Sequence, residues 1–512
     1  MTSALVFSSV TAQPAPLEAG TTILSSSGFF TLVKPSSSIT RNAASQTQPV
    51  RVTSVLFLSS TSAVHPSRPI PSTETKAPIE TSSAAAARIA PSTEVPKPRD
   101  DKFVFAHFMM GIVATYTAAA WEADINMAKA AGISGFALNT GADPHNTAQL
   151  DFAYAAADKI GGFQLFISVD FNIYHQGEYK KVADLIQPYL GRKSQFRMDG
   201  RPFVSSFIGD GFEWDKVEAE LKDKQKLFSV PFYEPKAEYA ARKDISGLFS
   251  WTAWPGQVGL TLVRQDMTLD RDNTYMTELG KANKIYMAPV SPWFFTHFPP
   301  EKYDKNWLFY SELLWHTRWE QMLSLGDRLN FIEIVSWNDY GESHHIGPYV
   351  PDHATDDGSS KWNEGLDHSA MLDMAIPYIT AFRAGLKEPV IVKDMVIYWY
   401  RPQVKGASCG KTDSCNAPPP KGHEFVDDLV FVVVMSKNGG TLTVTSGSKP
   451  AVVLEVLPGS RPYSVPMGAG KQTFKFQAKG GEGREATDKV EIGDQCRNGV
   501  YNFNFHSGSL KF

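Results

Sequence analysis

Between residues 103 and 385 short apolar runs alternate with amphipathic stretches, and that alternation restricts the chain more than anything else in it. Apolar runs of strand length separated by helical patterns are the mark of repeated βα units around a parallel sheet. Eight strands are expected, at 103–111, 135–141, 163–171, 202–209, 227–233, 247–254, 285–293 and 331–337. Helical patterns at 118–131, 149–160, 179–190, 214–222, 271–282, 307–325 and 370–384 fill most of the links, and the link after the fifth strand is poorly helical. Eight such units in about 280 residues predict a (β/α)8 barrel. An open doubly wound sheet would place a glycine-rich phosphate turn after the first strand, and the run 108–112 offers only Gly111.

On either side the texture changes. Residues 1–100 are rich in Ser, Thr, Ala and Pro and hold neither Trp nor Tyr. They read as a disordered leader, a stalk or linker. The start lacks the charged region of a secretory signal, and the apolar run at 50–59 lies too deep for an ordinary one. Residues 388–512 carry short β-rich runs at 429–435, 441–445, 452–457 and 473–477, and read as a small β-sandwich that covers a barrel flank. The expected domains are thus 1–100, 101–387 and 388–512.

The 512 residues carry a net charge of −4, with no basic surplus to attract a phosphate backbone and no run of about 20 apolar residues to span a bilayer. Neither nucleic acid nor membrane is an expected partner. Cys409, Cys415 and Cys496 permit one bridge with one thiol left over, in any of three pairings.

In a barrel the reacting groups sit at the C-terminal ends of the strands. The last strand runs into Trp337, Asn338, Asp339, Tyr340, Gly341, Glu342, Ser343 and His344. Two acids among aromatic rings suit a site that grips sugar rings while moving protons, because glycosidic cleavage needs one protonated and one ionised carboxyl. Asp339 and Glu342 are the expected catalytic pair. Expected substrate contacts are His107, Asn139, Asp143, Asp170, Trp251, Trp254, Trp293, His297, Trp337, Asn338, Tyr340 and His344. Each has a plainer reading, as core aromatic, turn cap or satisfied buried polar group. No metal site is expected, since adjacent His344 and His345 point to opposite sides of an extended chain, and the acidic loop at 352–358 lacks EF-hand spacing. Residues 468–472 lack the Walker spacing, 423–427 lack a second histidine, and there is no Gly-x-Ser-x-Gly elbow.

The segments 105–111, 121–125, 130–133, 135–139, 166–171, 290–297 and 337–348 together resemble fungal α-1,3-glucanases, the mutanases of glycoside hydrolase family 71. The resemblance runs in order from about residue 103 into the C-terminal region. It implies endo-type hydrolysis of α-1,3-glucan, with inversion, by a secreted or wall-associated enzyme without a metal cofactor; no other cofactor is expected, and a monomer is. It also matches Asp339 and Glu342 to the family's catalytic Asp-x-x-Glu, with Glu342 leaning to proton donor and Asp339 to base. Other readings are a non-catalytic glucan-binding wall protein on the same scaffold, or a hydrolase of another α-glucan.

Overall fold

The structure, a computed structural model, describes residues 95–512 apart from 259–260 and 352–357. The expected disorder of the leader and the reading of most of the acidic loop at 352–358 fall outside the described residues.

The strands arise where the apolar runs placed them: β1 (Phe103–Met109), β2 (Gly135–Thr140), β3 (Gln164–Asp170), β4 (Arg201–Phe207), β5 (Phe228–Pro231), β6 (Gly247–Phe249), β7 (Ile285–Val290) and β8 (Phe331–Ile334). All pair in parallel, in the order β5-β4-β3-β2-β1-β8-β7-β6. An isolated parallel bridge joins Phe232, just past β5, to Phe249 of β6. The sheet is therefore strongly curled, in a mixed α/β fold.

Both faces are buried, as parallel strands require. On the concave side Phe103, Phe105, Phe166, Phe203 and Phe331 pack against one another, with ring centroids 5.4 Å apart for Phe103 and Phe331 and 4.7 Å for Phe166 and Phe203. The alternate residues Val104, Ala106 and Phe108 enter an outer core with Trp121, Ile125 and Ala128 of α1 (Ala118–Ala130). Thr117 caps that helix, its hydroxyl accepting the Ala120 N–H at 3.2 Å. The last helix on this sheet, Ser369–Ala384, ends at Gly385 with φ of 73°, a left-handed cap that glycine adopts freely.

One expected helix is shorter than its pattern. Helix starts only at Leu314 (Leu314–Leu325), whereas Asn306–Leu308 pairs antiparallel with Phe295–His297 as a hairpin beyond β7. Prolines 299 and 300 interrupt the chain, and Trp307 stacks on Phe294 at 6.0 Å. Tertiary stacking overrides the local helical period there. After the fifth strand the link holds one short helical turn, Ala237–Ala240.

Beyond residue 388 come two four-stranded antiparallel sheets. Along Met395–Tyr400 the side chains alternate: Val396, Tyr398 and Tyr400 enter the core between these sheets, while Ile397 and Trp399 join the core around the parallel sheet. Leu429–Ser436 repeats the pattern, with Val430, Val432 and Val434 on one side and Phe431, Val433 and Met435 on the other. Trp399 also donates its indole N–H to the Glu312 carbonyl at 3.0 Å, and buried Arg401 pairs with Glu312. Cys409 is bonded to Cys496, and Cys415 is a buried free thiol.

Candidate active site

Past β8 the chain turns sharply across the end of the sheet. Trp337 N–H donates to the His107 carbonyl at 2.7 Å, and Asn338 straps the loop to β1 by accepting the Met109 N–H at 2.7 Å and donating to its carbonyl. Ser336 holds the turn from inside. It accepts the Asp339 N–H at 2.9 Å and lies 2.9 Å from His344 Nδ1. The ring's other nitrogen faces the Glu342 carboxylate at 3.1 Å. A carboxylate only accepts, so Nε2 carries a proton and donates it to Glu342.

Asp339 and Glu342 are thereby set beside each other. Asp339 Oδ1 accepts the Glu342 N–H at 3.0 Å, and the oxygens of the two side chains and the His344 ring approach within 4.8 Å of one another. Lys305, carried on the hairpin beyond β7, reaches Glu342 Oε1 at 3.0 Å. The two acids are shifted in opposite directions for visible reasons. Burial raises the pKa of both, and at Asp339 it prevails, aided by the nearby Glu342 charge. At Glu342 the Lys305 ammonium and the His344 N–H overcome burial and hold the carboxyl below its ordinary range. Asp339 is thus biased toward its protonated form and Glu342 toward its ionised one, the reverse of the leaning that the resemblance carried.

Around this pair Asp170 lies at the end of β3, its pKa raised by burial against the opposing Asn172 N–H, His107 and Lys305. Asp143 contributes to the same field and accepts from Asn146 at 3.3 Å. Trp251 stands edge-on to His107 at 4.6 Å and within 6.5 Å of the His344 ring. Trp254 packs on His344 at 5.0 Å, its indole N–H bonded to Ser291 and to the Trp293 carbonyl. Asn139, at the end of β2, is buried beside β1.

Other expected contacts are turned elsewhere. Trp293 is fully buried and donates to Asn504 Oδ1 at 3.1 Å, on the C-terminal segment. His297 is held between Asn306 and Asp413, at 2.7 and 2.8 Å. Trp337 packs on Phe136 in the outer core, and Gly347 comes so near its indole that a Cβ there would lie 2.6 Å from it. Tyr340 donates to the Pro348 carbonyl at 2.9 Å. Trp337, Asn338 and Tyr340 brace the loop, whereas Trp293 and His297 are tied to the C-terminal region.

Among the described residues two groups bring three ligand-type atoms together: Asp339, Glu342 and His344, and His297, Asp413 and Cys415. In the first, Lys305 already stands where a cation would bind Glu342. In the second, Asp413 already accepts from Cys415 N–H, Tyr501 N–H and the His297 ring. Neither donor set is left open for an ion.

Lys305, Ser336 and Glu333 escaped the sequence reading. Lys305 sits in a proline-containing stretch that reads as solvated loop. Glu333 is one acid inside an apolar run, and only its cost when buried marked it.

Residues 100–512 match the profile of glycosyl hydrolase family 71, and the chain belongs to that family. It is 41% identical over 415 residues to a mutanase of Penicillium rubens, covering 80% of this chain and 89% of that protein. It is 35% identical over 426 residues to a glucan endo-1,3-alpha-glucosidase of Schizosaccharomyces pombe, covering 80% and 95%. Among solved structures, a GH99 endo-alpha-mannosidase from Bacteroides thetaiotaomicron aligns with 56% of this chain and 98% of its own, at 13% identity and a TM-score of 0.43.

Proposed function

We propose that this protein hydrolyses α-1,3-glucosidic bonds inside α-1,3-glucan, with Asp339 as proton donor and Glu342 as the base that activates water. The observation that carries the reading is the polarised pair: one buried carboxyl raised and one lowered, side by side past the last strand of a family 71 chain. The names of the relatives supply the linkage. His107, Asn139, Asp143, Asp170, Trp251 and Trp254 line the sugar site in this reading, and His344 and Lys305 keep Glu342 ionised.

The curled sheet is read as a closed (β/α)8 barrel over 101–387, supported by the Phe232–Phe249 bridge between its outermost strands. Residues 388–512 are read as a β-sandwich that covers its flank, supported by the alternation of Trp399 and Phe431 into the barrel-side core. The substrate in this reading is a wall polymer, so the protein works outside the cell or in the wall. Among the described residues no helix is long and apolar enough to cross a membrane.

The test is incubation of the full chain with α-1,3-glucan, starch, dextran and β-1,3-glucan, following reducing ends. Release from α-1,3-glucan alone is expected. Release from starch or dextran at a similar rate would move the assignment to another α-glucan, and tight binding without release to a wall-binding role.

A further inference from the structure

Beneath the carboxylate pair lies a second acid that the chemistry so far leaves unused. Glu333 is wholly buried in the middle of β8, beside Phe105 on one neighbouring strand and Pro289 on the other. Phe105 belongs to the phenylalanine packing of the concave side, so this carboxyl is set among rings. Its Oε1 stands 2.7 Å from His107 Nδ1, and His107 is equally buried. Two atoms remain with no partner among the described residues, His107 Nε2 and Glu333 Oε2. A buried pair with orphaned polar atoms is a poor way to stabilise a barrel. An apolar side chain of similar volume would do as well or better.

The direction of the imidazole gives the pair its use. Glu333 pairs in register with Phe105, two residues before His107, so Nδ1 is tied toward the barrel interior. Nε2, across the ring, then faces the strand ends. There Trp251 stands edge-on to the ring and Asp170 feels the His107 charge.

We propose that Glu333 is a positioning residue for glucan cleavage: it fixes the His107 ring so that Nε2–H is presented to an oxygen of the glucose unit bound above. The proton follows from burial. In an apolar interior the pair is cheapest with no net charge. With the carboxyl proton held on the short Oε1–Nδ1 contact, it is then either an imidazolium beside a carboxylate, or a neutral ring accepting from a protonated Glu333. Both arrangements leave a hydrogen on Nε2. The raised pKa of Glu333, caused by burial and opposed by His107, fits this shared proton.

The proposal rests on the glucanase reading, so wild-type cleavage of α-1,3-glucan is the reference. Glu333→Met (E333M) is expected to lower kcat/KM about 10- to 100-fold, the usual cost of one hydrogen bond to a charged group. The melting temperature should stay level or rise. H107A should lose as much, and the H107A/E333M double variant no more than H107A, because Glu333 acts only through the ring. Nitrogen NMR of ring-labelled protein should show Nε2 of His107 protonated in wild type, and that signature altered in E333M. Should E333M not fold, the near-isosteric E333Q carries both readouts. Unchanged kcat/KM in the folded variant, or losses that add in the double variant, would overturn the proposal. If wild type itself leaves α-1,3-glucan intact, the glucanase reading fails first, and the NMR signature alone then decides whether Glu333 sets the ring's protonation.

Discussion

Replacing Lys305 by methionine keeps the length of the side chain and removes one charge, 3.0 Å from Glu342 Oε1. Two unit charges about 4 Å apart attract by about 4 kcal/mol at an effective dielectric near 20. The Lys305 side chain is 35% exposed, and solvent screening reduces that to about 2 kcal/mol. At 1.36 kcal/mol per unit this is a rise of about 1.5 units in the Glu342 pKa. Glu342 is held low in the wild type, and a base works only when ionised, so the rate falls as pH drops through that lowered value. In K305M the acid limb of kcat/KM against pH, measured on short α-1,3-linked oligosaccharides, moves upward by about 1.5 units, while the limb set by Asp339 moves much less. Stability follows the same sign. The ionised Glu342 stabilises the fold above the ordinary glutamate range and loses this as pH falls through its lowered value, so K305M is less stable at neutral pH. An acid limb that stays where it was would mean that Lys305 does not hold Glu342 ionised.

Other outcomes follow from the packing. Asn504 accepts from Trp293 and donates to Trp362 and Asn363, so N504A should cost about 2–3 kcal/mol in denaturant unfolding with little change in KM, whereas a KM rise would restore Trp293 as a sugar platform. The Cys409–Cys496 bridge closes a separation of 87 residues, and C409S/C496S should lose about 4 kcal/mol by the same measurement, an unchanged midpoint telling against it. Inversion, implied by the family resemblance, should appear as β-anomers in the first products by proton NMR; α-anomers would reverse it and would fit the approach of the two carboxyl groups to within 4.8 Å, which is closer than inverting pairs usually stand.

The strands were legible because a strand buried on both faces must be apolar along its length, and few other elements of that length are. The site loop was legible by composition: two acids, a histidine and several rings after a buried run. Direction was not legible. Trp251 and Trp293 look alike in sequence, yet one faces His107 and the other Asn504, and only the pairing of strands decides which. Lys305 lies 37 residues from Glu342, so their contact depends on how the hairpin folds over the strand ends. The 306–308 strand was hidden in a helical period because the stacking of Trp307 on Phe294 is tertiary.

Every role proposed above depends on Asp339 and Glu342 together breaking the glucan chain. This joint action is tested most directly by measuring reducing ends released from α-1,3-glucan by wild type, D339N and E342Q, with binding to the same polymer measured in parallel. Both variants should bind as wild type does and release sugar at least about 1,000-fold more slowly, since each role is required in the transition state. A variant that keeps wild-type turnover would contradict that joint action.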